Sequence, residues 1–231
     1  METYCYVGNR TRKKNMREAT AGLGITICRY DEDRGQLSVL ENVAPDINVG
    51  SLFIDRNVLY CTDECPDLPG MRIGGGGQVY AFAIDQSTGL LKELNHQPSY
   101  ASMPCYAISY GDYVLLTNHG TRQNHVTISE RDESGKFRVK VLFDDSSLVL
   151  YKRQDNGSIG EPLDIWKAVG EGLLDDIQYS PHLHSVIFSP SGKLFSVCDK
   201  GTDHVYLFRV ENDRLVMAGS STVDPGSAPR Y

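Results

Sequence analysis

An all-β chain, and within that class a β-propeller of four-stranded antiparallel blades, is what the sequence predicts. Three observations carry the prediction: one two-strand pattern recurs four times, further apolar strands precede each copy, and helix signals are almost absent.

The recurring pattern is an alternating apolar strand, a polar turn and a second strand. It reads ITICRYDEDRGQLSVL from Ile25, VYAFAIDQSTGLLKEL from Val79, LVLYKRQDNGSIGEPL from Leu148 and VYLFRVENDRLVMAGS from Val205. Gly35, Gly89 and Gly157 supply the positive φ that tight hairpin turns demand, and Asn212 and Asp213 tolerate the same region in the fourth copy. A shorter apolar strand lies ahead of each hairpin, in TYCYVGN, VLYCTDE, YVLLTNHG and LFSVCDKGT. The last three of these follow another, VGSLFID, CYAISY and HSVIFS, through the turns DRN, YGDY and SPSGK. The unit is thus four antiparallel strands recurring at roughly 55 residues and lengthened between the second and third hairpins. A sandwich is the competing all-β architecture, but a Greek key does not repeat its hairpins in register. Only DIWKAVGEGLLDDI, from Asp164 to Ile177, is expected to make a helical turn or two, since its glycines oppose more.

By this count residues 1–231 form a single β-propeller domain of which about four blades are represented. The chain opens at the second strand of a blade and stops at VDPGSAPRY, which reads as the approach to another innermost strand. A truncated C-terminal side is therefore expected, and an open ring leaves unpaired strand edges, so the chain alone is expected to be poorly soluble and weakly active or inactive.

Composition narrows the partners. The 40% hydrophobic content suffices for a packed core, and 23 basic against 30 acidic residues give a net charge of -7, which opposes nucleic acid. A small anionic ligand stays compatible wherever positive groups converge. No apolar run approaches the roughly 20 residues of a membrane helix, and METYCYVGNR runs into strand-like sequence without signal-peptide regions, so no membrane partner and a cytoplasmic address are expected. Oligomeric state is left open.

The cysteines at 5, 28, 61, 65, 105 and 198 read as reduced, mostly buried thiols. Cys61 and Cys65 have no second pair to complete a zinc site, and the histidines of HLH have no third ligand at a telling spacing, so neither metal nor cofactor is expected. GGGG at 74–77 is not followed by a helix opening on Lys-Ser or Lys-Thr and reads as a loop, not a phosphate cradle.

A set of pieces in order along the chain resembles a known family. They are YVGN at Tyr6, GGQVYAFAIDQSTGLLKELNHQPS from Gly76, PCYAIS at Pro104, LLTNHG at Leu115, GSIGEPLDI at Gly157, SPHLHSVIFSPSGKLFSVCDKGTDHVYLFRV from Ser180 and PGSAPRY at Pro225. The chain resembles the lactonases of the 6-phosphogluconolactonase type, seven-bladed propellers distantly related to fungal carboxymuconate-cyclising enzymes. The resemblance implies a longer protein, by about three blades. It departs from the family pattern at SERDESGKFRVKVLFDDSSL, where members are usually shorter, and at NVAPDINVGS.

Candidate site residues follow from strand direction. In an antiparallel pair the start of the first strand and the end of the second share one edge, which collects His182 and His184 with Lys200, Pro104 and Cys105 with Asn118 and His119, and Asn48 with Asp63 and Glu64. Arg230 joins them at the approach to the next blade. His182 and His184, two residues apart, are expected to face the same way. The resemblance implies that the histidine of the HS pair and the arginine of the PR pair line the cavity, and these fall on His184 and Arg230. It implies a hydrolase of sugar metabolism that opens a small anionic sugar lactone by water attack. Under that reading His184, with a reference pKa of about 6.5, moves the proton, and Arg230 stabilises the oxyanion or grips an anionic tail. His182, His119, Asn118, Lys200 and Glu64 are the expected substrate contacts. Two other readings remain, a non-catalytic binding platform and a cyclase or isomerase of unsaturated dicarboxylic acids.

Overall fold

The computed structural model describes residues 2–11, 22–121, 125–144 and 146–231, and among them are seventeen strands and no helix. The first sheet has three strands, β1 (Thr3–Gly8), β2 (Ile25–Asp31) and β3 (Gln36–Val43). Three four-stranded sheets follow. They hold β4 (Val49–Asp55), β5 (Val58–Asp63), β6 (Gln78–Ile84) and β7 (Leu91–Pro98); β8 (Pro104–Tyr110), β9 (Tyr113–Asn118), β12 (Ser147–Arg153) and β13 (Ile159–Lys167); and β14 (Leu183–Phe188), β15 (Phe195–Asp199), β16 (His204–Glu211) and β17 (Arg214–Thr222). Neighbours in each sheet are antiparallel and, apart from β9 with β12, consecutive in the chain, which is the predicted blade.

Burial explains which sequences became which strands. The second strands β5 and β9 are covered on both faces by adjoining sheets and read as nearly unbroken apolar runs, whereas β15 in the last sheet alternates between buried and half-buried residues. Their alternation still sorts the side chains: Leu115 of β9 packs with Leu150, Val186, Phe195 and Phe208, while Leu116 packs with Tyr60, Val79, Ala107 and Val149 on the other side. A third cluster, with Ile25, Leu59 and Phe82, joins the first sheet to the second. Buried hydroxyls span the sheets too. Tyr60 donates to the carbonyl of Gly157 at 2.8 Å and accepts from Arg153 Nε at 3.0 Å. Outer strands are largely solvated, β3 along almost its whole length.

The predicted turns are seen: φ is +63° at Gly35, +71° at Gly89 and +85° at Gly157, and Asn212 and Asp213 stand at +50° and +61°. The segment 164–177 gives its first residues to β13 and then closes one turn, Gln178 N–H donating to the Leu174 carbonyl at 2.7 Å. One element goes beyond the sequence reading. The extra length in the third sheet is a separate hairpin, β10 (His125–Arg131) with β11 (Phe137–Phe143), inserted between β9 and β12.

Candidate active site

One hydrogen bond recurs at the same corner of three sheets. The residue after the second strand donates its N–H to the carbonyl of the residue before the first: Glu64 to Asn48 at 2.8 Å, His119 to Met103 at 2.9 Å, and Lys200 to His182 at 3.0 Å. Each corner thereby presents one side chain to a common space, a glutamate, a histidine and a lysine in turn. Under two of the corners a buried aspartate ties the loop down. Asp63 accepts the Asn48 N–H at 2.8 Å, and Asp199 accepts that of His182 at 2.7 Å.

The common space is a cavity of about 390 Å³ lined by Glu64, His119, His184, Lys200 and Arg230 together with Met103, Gly120, Thr121, Asp176 and Tyr179. Five of the seven expected site residues therefore meet there. The other two do not line it. Asn118 is fully buried, its amide donating to the Ser99 carbonyl at 2.7 Å and to Ser147 Oγ at 3.0 Å, which binds it into the blade. His182 is 1% exposed and lies flat on the ring of His119, centroids 4.4 Å apart and planes 8° from parallel. Its Nδ1 donates to the His119 carbonyl at 2.8 Å. Both rings stand against His119, that of His184 at 6.0 Å, but His184 alone of the two lines the cavity; the pairing of β14 slips between Leu183 and Val186.

Residues the sequence reading did not single out complete the lining. Asp176 and Tyr179 come from the segment just ahead of HLH, and Met103, with φ at +58°, from the matching position of the third sheet. Arg10, beyond β1, reaches across to Glu64 at 2.7 Å. The signal was available for Met103, because it stands one residue before a first strand, as Asn48 and His182 do.

Electrostatically the cavity sets two cations, Arg230 and Lys200, opposite two carboxyl groups, Glu64 and Asp176. Arg230 Nε donates to His184 Nε2 at 2.7 Å. An arginine N–H only donates, so His184 is the Nδ1–H tautomer, and that buried Nδ1 has no hydrogen-bond partner among the described residues. Burial, then the cations of Arg230 and Lys200, pull His184 down to about 4. Burial and the neighbouring His182 pull His119 down to about 3, and burial lowers His182 as well. Lys200 is lowered by burial and by Arg230. Glu64 is raised by burial despite Arg10, and Cys105, packed behind the site with its Sγ against the His184 carbonyl at 3.3 Å, is pushed up to about 12 by burial and by Glu64. Its thiol is thus no nucleophile at neutral pH. Among the described residues no group of three His, Cys, Asp or Glu side chains converges as a metal site. No helix among them is long and apolar enough to cross a membrane.

Packed four-stranded antiparallel sheets, each turning one polar corner toward a shared mouth, define a β-propeller with a polar pocket where its inner strands begin. Comparison with known sequences makes this specific. The chain belongs to the family described as lactonase, 7-bladed beta-propeller, whose model matches residues 4–231. It is 26% identical over 231 residues to a 6-phosphogluconolactonase of Formosa agariphila, covering 98% of this chain and 56% of that protein. With a 6-phosphogluconolactonase of Bacillus subtilis the identity is 29% over 68% of this chain and 38% of the relative. In three dimensions the chain resembles a periplasmic gluconolactonase of Pseudomonas aeruginosa, at TM-score 0.75 and 20% identity, across 100% of this chain and 57% of the other. This chain spans about half the length of the curated relatives it matches.

Proposed function

We propose that this chain forms part of a lactone hydrolase acting on a small anionic sugar lactone of the 6-phosphogluconolactone kind. The observation that carries the reading is the meeting of His184, Arg230, Lys200, His119 and Glu64 around one cavity. The names borne by its relatives support the reaction class.

Opening a lactone requires a group to take a proton from the attacking water and donors for the carbonyl oxygen as it becomes anionic. Arg230 and Lys200 supply donors and charge. His184 supplies the base, but its Nε2 lone pair is occupied by Arg230. The base is released when the guanidinium transfers its hydrogen bond to the substrate. An anion is the ligand that favours the transfer, since it also neutralises the cations that disfavour an imidazolium at His184. Proton transfer to His184 then accompanies water attack, and the imidazolium returns the proton to the alkoxide leaving group as the ring opens. No covalent intermediate and no cofactor is needed. A cytoplasmic address belongs to the same reading.

The test is hydrolysis of 6-phosphogluconolactone and of δ-gluconolactone by the full-length protein. The reading predicts turnover of both, with higher kcat/KM for the phosphorylated lactone. Absence of turnover on either would reject it.

A further inference from the structure

Asp203 stands in the turn between β15 and β16, 5% exposed and with φ at +56°. A non-glycine residue keeps that conformation when its surroundings determine it, and four donors do so here. Asp203 Oδ2 accepts the Gly226 N–H at 2.7 Å, Oδ1 accepts the Ala228 N–H at 2.8 Å and Gln178 Nε2 at 2.8 Å, and its carbonyl accepts the Val223 N–H at 2.9 Å. Burial opposes the carboxylate, yet the Gly226 and Ala228 amides and Gln178 outweigh it and hold the group below the usual carboxyl range, an anion and a pure acceptor. The chain leaving β17 is thus hooked back onto Asp203 and pinned two residues before Arg230. Gln178, 1% exposed, also donates to the Lys200 carbonyl at 3.0 Å, so one buried pair fixes the segments that carry both cavity cations.

We propose that Asp203 is a positioning residue for Arg230: by holding the Gly226 and Ala228 amides it sets where the guanidinium meets His184. Asp203 does not line the cavity and acts through the backbone. The inference rests on reading Arg230 and His184 as the working pair, and its test separates the two.

The reporter is the His184 imidazole. The groups facing it are the cations of Arg230 and Lys200, the rings of His119 and Tyr231 at 6.0 and 5.1 Å, Cys105 behind it, and Glu64 in the cavity wall. Release of Arg230 removes one of the two cations and leaves the rest. The experiment is an NMR titration of the histidine side chains in the full-length protein, its Asp203→Asn and Arg230→Ala variants, and the double variant. Asparagine keeps the shape but turns an N–H toward one of the amides. The proposal predicts that His184 titrates higher in Asp203→Asn, moving from about 4 toward the ~6.5 of a free imidazole. His119, lowered by burial, His182, Lys200 and His184, stays low. Arg230→Ala reproduces the rise, and the double variant adds nothing to it. A folded Asp203→Asn with unmoved His184, or an equal further rise in the Arg230→Ala background, overturns the proposal. An unmoved His184 in Arg230→Ala itself overturns the underlying pair instead. Should Asp203→Asn be too unstable to titrate, Gln178→Leu removes one partner of the same carboxylate and, through its bond to the Lys200 carbonyl, also loosens Lys200: a smaller rise at His184 that is absent in the Arg230→Ala background supports the proposal, and no rise, or one that persists in that background, overturns it.

Discussion

Arg230 Nε donates to His184 Nε2 across 2.7 Å, so an arginine beyond β17 occupies the lone pair of a histidine on β14. The two side chains are partners in one hydrogen bond before either meets a substrate. If Arg230 hands that bond to the substrate in the reaction, Arg230→Ala lowers kcat/KM for lactone opening by about 10²–10³-fold, the effect typical of losing one oxyanion donor. Arg230→Lys recovers only part of it, because an ammonium keeps the charge and loses the planar fork. Steady-state kinetics on both variants check this.

Lys200 offers charge without touching His184. Lys200→Met is expected to raise KM for a phosphorylated lactone by about ten-fold or more, the worth of one charge-assisted hydrogen bond, while changing KM for δ-gluconolactone much less. Equal losses on the two substrates would place the lysine elsewhere in the reaction.

The buried histidines couple stability to pH. His119, His182 and His184 all titrate below an ordinary imidazole in the folded chain, chiefly through burial. The unfolded chain then binds more protons as pH falls below about 6.5, so their stabilising effect is whole above that value and declines toward about 4 for His184 and about 3 for His119. Melting temperature is expected to drop over that window, and His119→Gln to flatten the drop. A melting temperature equally steep in wild type and variant would contradict the assignment.

The blades stand on their shared cores. Leu150→Ala, at a fully buried side chain between the third and fourth sheets, is expected to cost about 2–5 kcal/mol. Tyr60→Phe, which strands the Gly157 carbonyl and leaves Arg153 Nε with Asp55 at 3.7 Å, is expected to cost about 1–3 kcal/mol. Urea unfolding measures both.

The strands were legible because their burial follows a simple period. Hairpins at Ile25, Val79, Leu148 and Val205 alternate, and their turn residues take the positive φ their chemistry permits. The corner rule was legible for the same reason: strand direction alone brought Glu64, His119 and Lys200 together, and their repeated backbone hydrogen bonds hold them there. What failed depended on local departures from regularity. His182 is buried against His119 while His184 reaches the cavity, and Asn118 turns inward to Ser99 and Ser147 where the equivalent Asp63 and Asp199 hold loop amides. The Gln178–Asp203 pair was invisible because it joins residues 25 apart through contacts no period encodes. The β10–β11 hairpin appeared in sequence only as extra length, although HVTISER and FRVKVLF bracket the turn at Gly135.

The claim that His184 moves the proton is the centre of this account, and its most direct test is the rate of 6-phosphogluconolactone opening by His184→Gln in the full-length protein. Glutamine keeps a hydrogen-bonding side chain that Arg230 can meet but cannot take a proton at neutral pH. The account predicts a fall in kcat of about 10²–10⁴-fold with KM little changed. A kcat within two-fold of wild type would contradict it.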